Sequence, residues 1–342
     1  MRLEDNPRNR FDRYYREWEV EPPAATIEVT EDHSRSILSE NDSPDVGFRF
    51  SVNPYRGCTH ACAYCYARPS HEYLGLGAGT DFDTKILIKP QAPELLREAL
   101  EKDSWKGDLI AFSGDTDCYQ PLEAHYRLTR RCLEVCLEIG NPIEVVTKSF
   151  LVSRDRDLLG KMAADGLASV AISVPFFDED LARLIEPGAP RPSKRFEAMR
   201  LLADAGVPVT VLVAPIIPGL NDDQVPKLLE RAKECGARGA GRILLRLPGA
   251  VREVFLGRLR ERVPLRAAKV EALLRETRGG QLTDPRFGHR MRGTGVYWQA
   301  VNDAFELHRK RLGLVPEQVG SKAARPPRPL RRRGQLDLFG EP

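Results

Sequence analysis

The chain has 342 residues, 42% of them hydrophobic, enough for one large α/β domain with extensions or for two ordinary domains, and too apolar to remain unfolded. No run approaches the ~18 consecutive apolar residues of a spanning helix, and the charged start MRLEDNPRNRFDRYYREWEV lacks the apolar stretch of an export signal. The net charge of +3 is uneven: from Val319 onward six basic residues face two acidic ones, which leaves −1 for residues 1–318.

Residues 1–46 show no hydrophobic period and mix charge, Pro and Ser, so they read as a loosely attached N-terminal extension. Strand-like and helical runs then alternate. GFRFSVN (47–53) leads into a cysteine-rich stretch, followed by LIAFSG (109–114), IEVVTKS (143–149), ASVAISV (168–174), VPVTVLVAPI (207–216) and GRILLRLP (241–248). Between them, PLEAHYRLTRRCLEVCLEIG, SRDRDLLGKMAADG, SKRFEAMRLLADAG and NDDQVPKLLERAKECG place apolar residues at helical spacing and end in Gly. The expected fold class is α/β: a partial (βα)6 barrel over residues 47–250, with further helices over 251–316, including GVYWQAVNDAFELHRKRLG. Residues 317–342 form a basic, Pro/Arg-rich tail expected to be disordered. The polar stretches SGDTD, TKS, SVP and APIIPGLND fall at the C-terminal ends of the strands, where a βα barrel carries its active site.

GCTHACAYCYAR (57–68) places Cys58, Cys62 and Cys65 in C-x3-C-x2-C spacing, three of only seven cysteines. The odd total has no regular framework, which argues against a disulfide-stapled secreted protein and for a reducing cytoplasm. A structural zinc takes four ligands, usually as two distant pairs; His60 or His71 would complete such a set. A fourth thiolate from Cys118, Cys132, Cys136 or Cys235 would close an iron–sulfur cluster. With three thiolates, one iron of a 4Fe–4S cluster keeps an open position for chemistry, and this is the reading we adopt. Cys132 and Cys136, at i and i+4 on one helix, read as packing residues, as does Cys235 near a helix end.

C-x3-C-x-aromatic-C after the first strand of such a barrel resembles the radical S-adenosylmethionine superfamily, over about residues 47–250. The resemblance implies that S-adenosylmethionine binds the open iron and is cleaved to a 5′-deoxyadenosyl radical. It implies an electron donor such as flavodoxin or ferredoxin. It also places Tyr64 near the adenine, the alternative being a core tyrosine.

Within that superfamily, GCTHACAYCYA, SGDTDCYQP, VVTKS, SVP and IEPGAPRPSKRF are similar to the spore photoproduct lyase branch. Many relatives carry Gly-Gly-Glu for the cofactor's amino group where this chain has Ser113 to Asp117, so Thr116 and Asp117 are the implied contacts. Lys148 is implied to face the cofactor's carboxylate, and Ser173 to hydrogen-bond it from the fourth strand. Arg195 divides between a cofactor contact and a solvated helix face. The plainer reading of such residues is helix capping, preferred for Ser153 and Ser193. The lyases carry a cysteine hydrogen donor where Gly114 stands here. Cys118, four residues on, is the candidate catalytic thiol or else a buried, inert one.

After ARPPRPLRRRG comes QLDLF (335–339). Disordered tails seldom keep large apolar side chains. The peptide resembles those that dock bacterial polymerases and repair proteins on the sliding clamp, with Leu336, Leu338 and Phe339 filling a pocket and Gln335 orienting them. The alternative is a segment folded back on the body. The expected protein is a cytoplasmic, lyase-like radical enzyme acting on DNA or another nucleic acid, in DNA repair. One rival is an enzyme of the same class acting on a peptide or small molecule. The other is a non-catalytic module, bearing a cluster or zinc and docked on the clamp.

Overall fold

The computed structural model describes residues 3–12 and 21–315; the QLDLF peptide, Gln335 to Phe339, lies outside them. The strands are β1 (Glu28–Glu31), β2 (Leu38–Glu40), β3 (Phe50–Val52), β4 (Tyr55–Arg56), β5 (Lys85–Ile88), β6 (Ile110–Phe112), β7 (Ile143–Thr147), β8 (Ala168–Ser173), β9 (Val209–Ile216) and β10 (Gly239–Leu244). The larger sheet runs β10-β9-β8-β7-β6-β3-β2 and the smaller one β1-β5-β4. All neighbours in the larger sheet are parallel except β2, which pairs antiparallel with β3 at the edge. Its six parallel strands lie side by side in chain order, as expected when every crossover winds the same way. Because β10 and β2 are its two edges, the sheet is open.

Burial along the strands follows the pattern read from the chain. All six residues of β8 are buried, as befits a strand covered on both faces. In β7, Ile143, Val145 and Thr147 are buried while Glu144 and Val146 are half-buried, the period-2 alternation of a strand whose two faces differ. The helix Leu128–Ile139 buries Cys132, Leu133 and Cys136 against the sheet, so both cysteines are packing residues. Among the described residues no helix is long and apolar enough to cross a membrane.

Three local expectations are corrected. PLEAHYRLTRRCLEVCLEIG is two helices, Glu123–Tyr126 and Leu128–Ile139, broken at Arg127 with φ at +52°. The Glu123 carboxylate turns back to accept from the Thr129 and Arg130 amides at 2.9 and 3.2 Å, satisfying donors that a continuous helix would have used internally. Ser153 is not a cap but donates to the Phe150 carbonyl, and Ser149 caps that turn instead. The helix Pro192–Asp204 starts from Arg191 without a side-chain cap, so Ser193 does not cap it either.

The described residues of the N-terminal extension, 3–12 and 21–46, are attached rather than loose. Asn6 accepts from the Gly79 and Asp81 amides at 3.1 and 3.0 Å, and buried Asn9 donates to the Glu72 and Leu76 carbonyls. Strands β1 and β2 join one sheet each. Backbone hydrogen bonds to distant segments hold this region where a hydrophobic period is lacking.

Candidate active site at the cysteine loop

Cys58, Cys62 and Cys65 follow the short strand β4 on one turn of chain; the first two are buried and the third half-buried. That turn is held from behind. Arg68, fully buried, donates to the Cys62 carbonyl at 2.7 Å, to the Gly79 carbonyl at 2.8 Å and to Asp83 at 2.8 Å. Arg258 donates to the same Asp83 at 2.7 Å and to the Ala61 carbonyl at 3.3 Å. Ala61 sits at φ +55°, a strained conformation for a residue with a Cβ, and Arg258 grips it there.

Gln120 clamps the other side of the loop: its amide nitrogen donates to the Gly57 carbonyl at 3.0 Å and its oxygen accepts from the Thr59 amide at 3.1 Å. A third support comes from the segment after the helix Glu179–Ile185. The Ala63 amide donates to the Ile185 carbonyl at 2.9 Å, and the Gly188 amide to the His60 carbonyl at 3.0 Å. A Cβ on Gly188 would stand 2.0 Å from the Thr59 carbonyl oxygen, so only glycine permits this approach.

The strand ends bring charge to the loop. The Lys148 ammonium, just past β7, lies 3.3 Å from the Ser173 hydroxyl at the end of β8 and 5.6 Å from the centre of the Tyr64 ring. The Tyr64 hydroxyl donates to Glu186, which also accepts from Arg195 at 2.6 Å. Tyr64 is buried in an apolar cluster that includes Phe176, Ile185 and Leu245, with its ring toward the lysine. Burial would raise Glu186, but Arg195 and Lys148 hold it below the usual carboxylate range.

Burial pushes the Cys58 thiol far up, helped by Asp117 and by the two other cysteines. Cys62 is pushed up to about 12 by burial and Glu186, against Lys148, and Cys65 is raised by burial against Arg68. All three thiols are thus raised above their ordinary range, and the protonated form is the one favoured near neutral pH.

The other expected residues serve the loops. Asp117 accepts from the Tyr119 amide at 2.9 Å, the Thr147 hydroxyl at 2.7 Å, the Lys148 amide at 2.8 Å and His60 Nδ1 at 3.3 Å. Those four contacts use the four lone-pair positions of a carboxylate. Burial would raise Asp117, yet His60 and these donors hold it down at about 2. The Thr116 hydroxyl is given to the Tyr55 carbonyl at 2.8 Å.

Arg195 is no solvated residue. It is 1% exposed and donates to Glu186 and to the Ser173 and Pro190 carbonyls, which makes it a positioning residue. Cys118 lies fully buried in the main core, its thiol raised far up by burial. A Cβ on Gly114 would lie 2.8 Å from both Cβ and Oγ of Ser51, so that position has no room for a cysteine unless Ser51 moves. Arg68, Asp83, Arg258, Gln120 and Glu186 were not singled out from the sequence. Arg68 closes the stretch GCTHACAYCYAR, and Gln120 and Glu186 lie inside SGDTDCYQP and IEPGAPRPSKRF; Asp83 and Arg258 carry no local signal.

A loop of three thiols meeting Lys148 and Ser173 at the C-terminal ends of parallel strands stands where an α/β sheet of this kind carries its active site. The chain belongs to the Radical SAM superfamily, whose model matches residues 52–232. An uncharacterized protein of Mycobacterium tuberculosis is 38% identical over 211 residues, 61% of this chain and 62% of its own length. The chain thus spans less than two thirds of such relatives. An uncharacterized protein of Methanocaldococcus jannaschii is 30% identical over 196 residues, 57% of this chain and 70% of that one. A radical SAM Nalpha-GlyT isomerase of Pseudomonas phage M6 is 29% identical over 188 residues, covering 54% of this chain and 37% of its own. Spore photoproduct lyase complexed with dinucleoside spore photoproduct superposes with a TM-score of 0.57 at 15% identity, over 83% of this chain and 79% of that chain. That likeness is one of fold.

The family implies a 4Fe–4S cluster and S-adenosylmethionine. The residues fit. Besides the three thiols, the loop contains His60 Nε2 and Thr59 Oγ1, both buried and without hydrogen-bond partners among the described residues. Among those residues no three His, Cys, Asp or Glu side chains converge as ligands of one ion. A cluster does not need that convergence, because each thiolate binds a different iron.

Proposed function

We propose that Cys58, Cys62 and Cys65 bind a 4Fe–4S cluster, that S-adenosylmethionine takes the open position, and that the substrate is a nucleic acid. The observation that carries this reading is the meeting of three loop thiols, two of them buried, with Lys148, Ser173 and Tyr64. When bound, the cluster supplies the electron that cleaves S-adenosylmethionine to a 5′-deoxyadenosyl radical. Lys148 offers a cation to the carboxylate of S-adenosylmethionine, and Ser173 keeps that ammonium in place. The Arg68–Asp83–Arg258 triad and Gln120 fix the loop, and its burial keeps water from the thiolates.

A nucleic-acid substrate is supported by the likeness in fold to a lyase solved with a dinucleoside photoproduct. The basic tail supports it as well, with QLDLF as the clamp-docking peptide of a cytoplasmic repair enzyme.

Anaerobic reconstitution tests the proposal. About four irons and four sulfides per chain should bind and be lost in Cys58→Ala. The reduced protein should release 5′-deoxyadenosine, faster with the true substrate in a screen of damaged oligonucleotides and peptides. A Cys58→Ala protein that kept cluster and cleavage would overturn the cluster assignment. Stimulation by peptides alone would overturn the substrate class.

A further inference from the structure

Beside the cysteine loop, a cavity of about 240 Å³ is lined by Arg246, Pro248, Gly249, Thr283, Asp284, Pro285 and Arg290. Arg246 follows β10, and its guanidinium lies 6.0 Å from the ring centre of Tyr66, the residue next to Cys65. Tyr66 is 50% exposed and is anchored by its hydroxyl to the Gly114 carbonyl at 2.7 Å. Arg246 thus links the cavity to the residue beside Cys65.

The charge around it is unbalanced. Arg290 is committed to Asp45 and to Ser43, and Asp284 to Arg286 at 2.7 Å. Arg278, 91% buried since it is 9% exposed, donates to the Leu245 and Arg290 carbonyls but leaves Nε without a partner among the described residues. Arg246 has neither a hydrogen bond nor an ion pair among the described residues; it lies over the Tyr66 ring and is attracted to Asp45 only from beyond ion-pair distance. Four arginines thus face two carboxylates, with one guanidinium uncommitted. Burial lowers the pKa of both Arg246 and Arg278, with Arg290 adding to it at Arg246 against Asp45, and Arg246 adding to it at Arg278 against Asp284; both stay charged, and a bound anion would offset that burial.

We propose that this cavity is a subsite for one phosphate of a nucleic-acid substrate, gripped by Arg246, with Tyr66 as the adjoining surface on which a base stacks. The inference rests on the nucleic-acid reading given above. The volume falls below the roughly 300–1,000 Å³ that encloses a whole small molecule, so it suits one group of a larger substrate. Guanidinium beside an exposed aromatic is the pairing that tracks a single strand, phosphate to the cation and base to the ring. An acidic peptide would use the arginine and leave the tyrosine idle.

The test uses the full chain with Arg331→Ala, Arg332→Ala and Arg333→Ala as parent, so that tail contacts do not mask the cavity. A fluorescein-labelled single strand of about 12 nucleotides is titrated by anisotropy at several salt concentrations. Arg246→Glu should lower affinity at least about tenfold and flatten the salt slope by about one, with an unchanged thermal melt. Tyr66→Ala should lose about tenfold with the slope kept. Should Arg246→Glu fail to fold, Arg246→Gln provides the same comparison with a smaller loss. Unchanged affinity and slope in a folded Arg246 variant overturn the subsite and leave the nucleic-acid reading intact. A parent that binds no oligonucleotide overturns both. Equal competition by a poly-glutamate peptide, lost equally in Tyr66→Ala, overturns the nucleotide assignment.

Discussion

Lys148 and Asp117 are neighbours with opposite duties. Lys148 keeps its ammonium between a hydroxyl and an aromatic face, a place where a cation can receive an anionic ligand. Lys148→Ala should leave iron content intact and weaken S-adenosylmethionine binding by roughly 1.5–3 kcal/mol, about ten- to a hundred-fold. Titration of the cluster spectrum reads this directly, and unchanged affinity would remove Lys148 from the site. Asp117 has no acceptor left for a ligand, so its effect is on stability. A carboxylate held at about 2, below its ordinary 3.8, adds stability that is complete above about pH 4 and lost as pH falls toward 2. Asp117→Asn should therefore cost about 2 kcal/mol at neutral pH, with the gap from wild type closing over that acidic range. Chemical denaturation at a series of pH values measures it; a constant gap would show that the charge is not what matters.

Two supports of the cysteine loop act as whole segments. Residues 185–190 dock against it through backbone hydrogen bonds that require Gly188, whose added Cβ would meet a carbonyl rather than a pliable side chain. Gly188→Ala should destabilise the fold by about 1–3 kcal/mol and lower iron uptake on reconstitution. Normal iron loading with an unchanged melt would refute the docking role. Behind the loop, one carboxylate serves two buried guanidiniums. Asp83→Ala removes it and leaves both charges in the interior, a loss of about 3–5 kcal/mol. The expected result is a chain that melts early and binds little iron, checked by calorimetry and iron assay.

At the scale of the whole molecule, a body that carries net charge −1 over residues 1–318 is joined to a basic tail. If QLDLF is a docking peptide, the last twenty or so residues should bind the host's sliding clamp with about micromolar affinity, since a short peptide gives up chain entropy on binding. Leu338→Ala with Phe339→Ala should abolish that binding, two anchors each worth roughly 1.5–3 kcal/mol. Arg331→Ala, Arg332→Ala and Arg333→Ala should instead lower DNA affinity and leave clamp binding alone. Calorimetric titration separates the two, and binding that persists without Leu338 and Phe339 would end the docking assignment.

The helices Ala92–Leu100 and Glu179–Ile185 and the break at Arg127 were not legible in the sequence, whereas the strands β3 and β6 to β10, four of the helical stretches between them and the cysteine loop were. Their signals are local: alternation along a strand, apolar spacing along a helix, and three thiols within eight positions. Lys148 and Ser173 were legible for the same reason, because the end of a β-strand in a βα unit is a place that the pattern marks. Only the tertiary structure decided what those ends do. It spent every acceptor of Asp117 and the hydroxyl of Thr116 on neighbouring loops, and it buried Arg195 where its place at the head of a helix left a solvated face equally open. It also set Ser51 against Gly114, so that a side chain there would have to displace it. The triad behind the loop joins residues 15 and 175 positions apart, a distance over which no hydrophobic period carries information. Such contacts depend on how finished elements pack, and a buried charge has no preferred neighbour until packing supplies one.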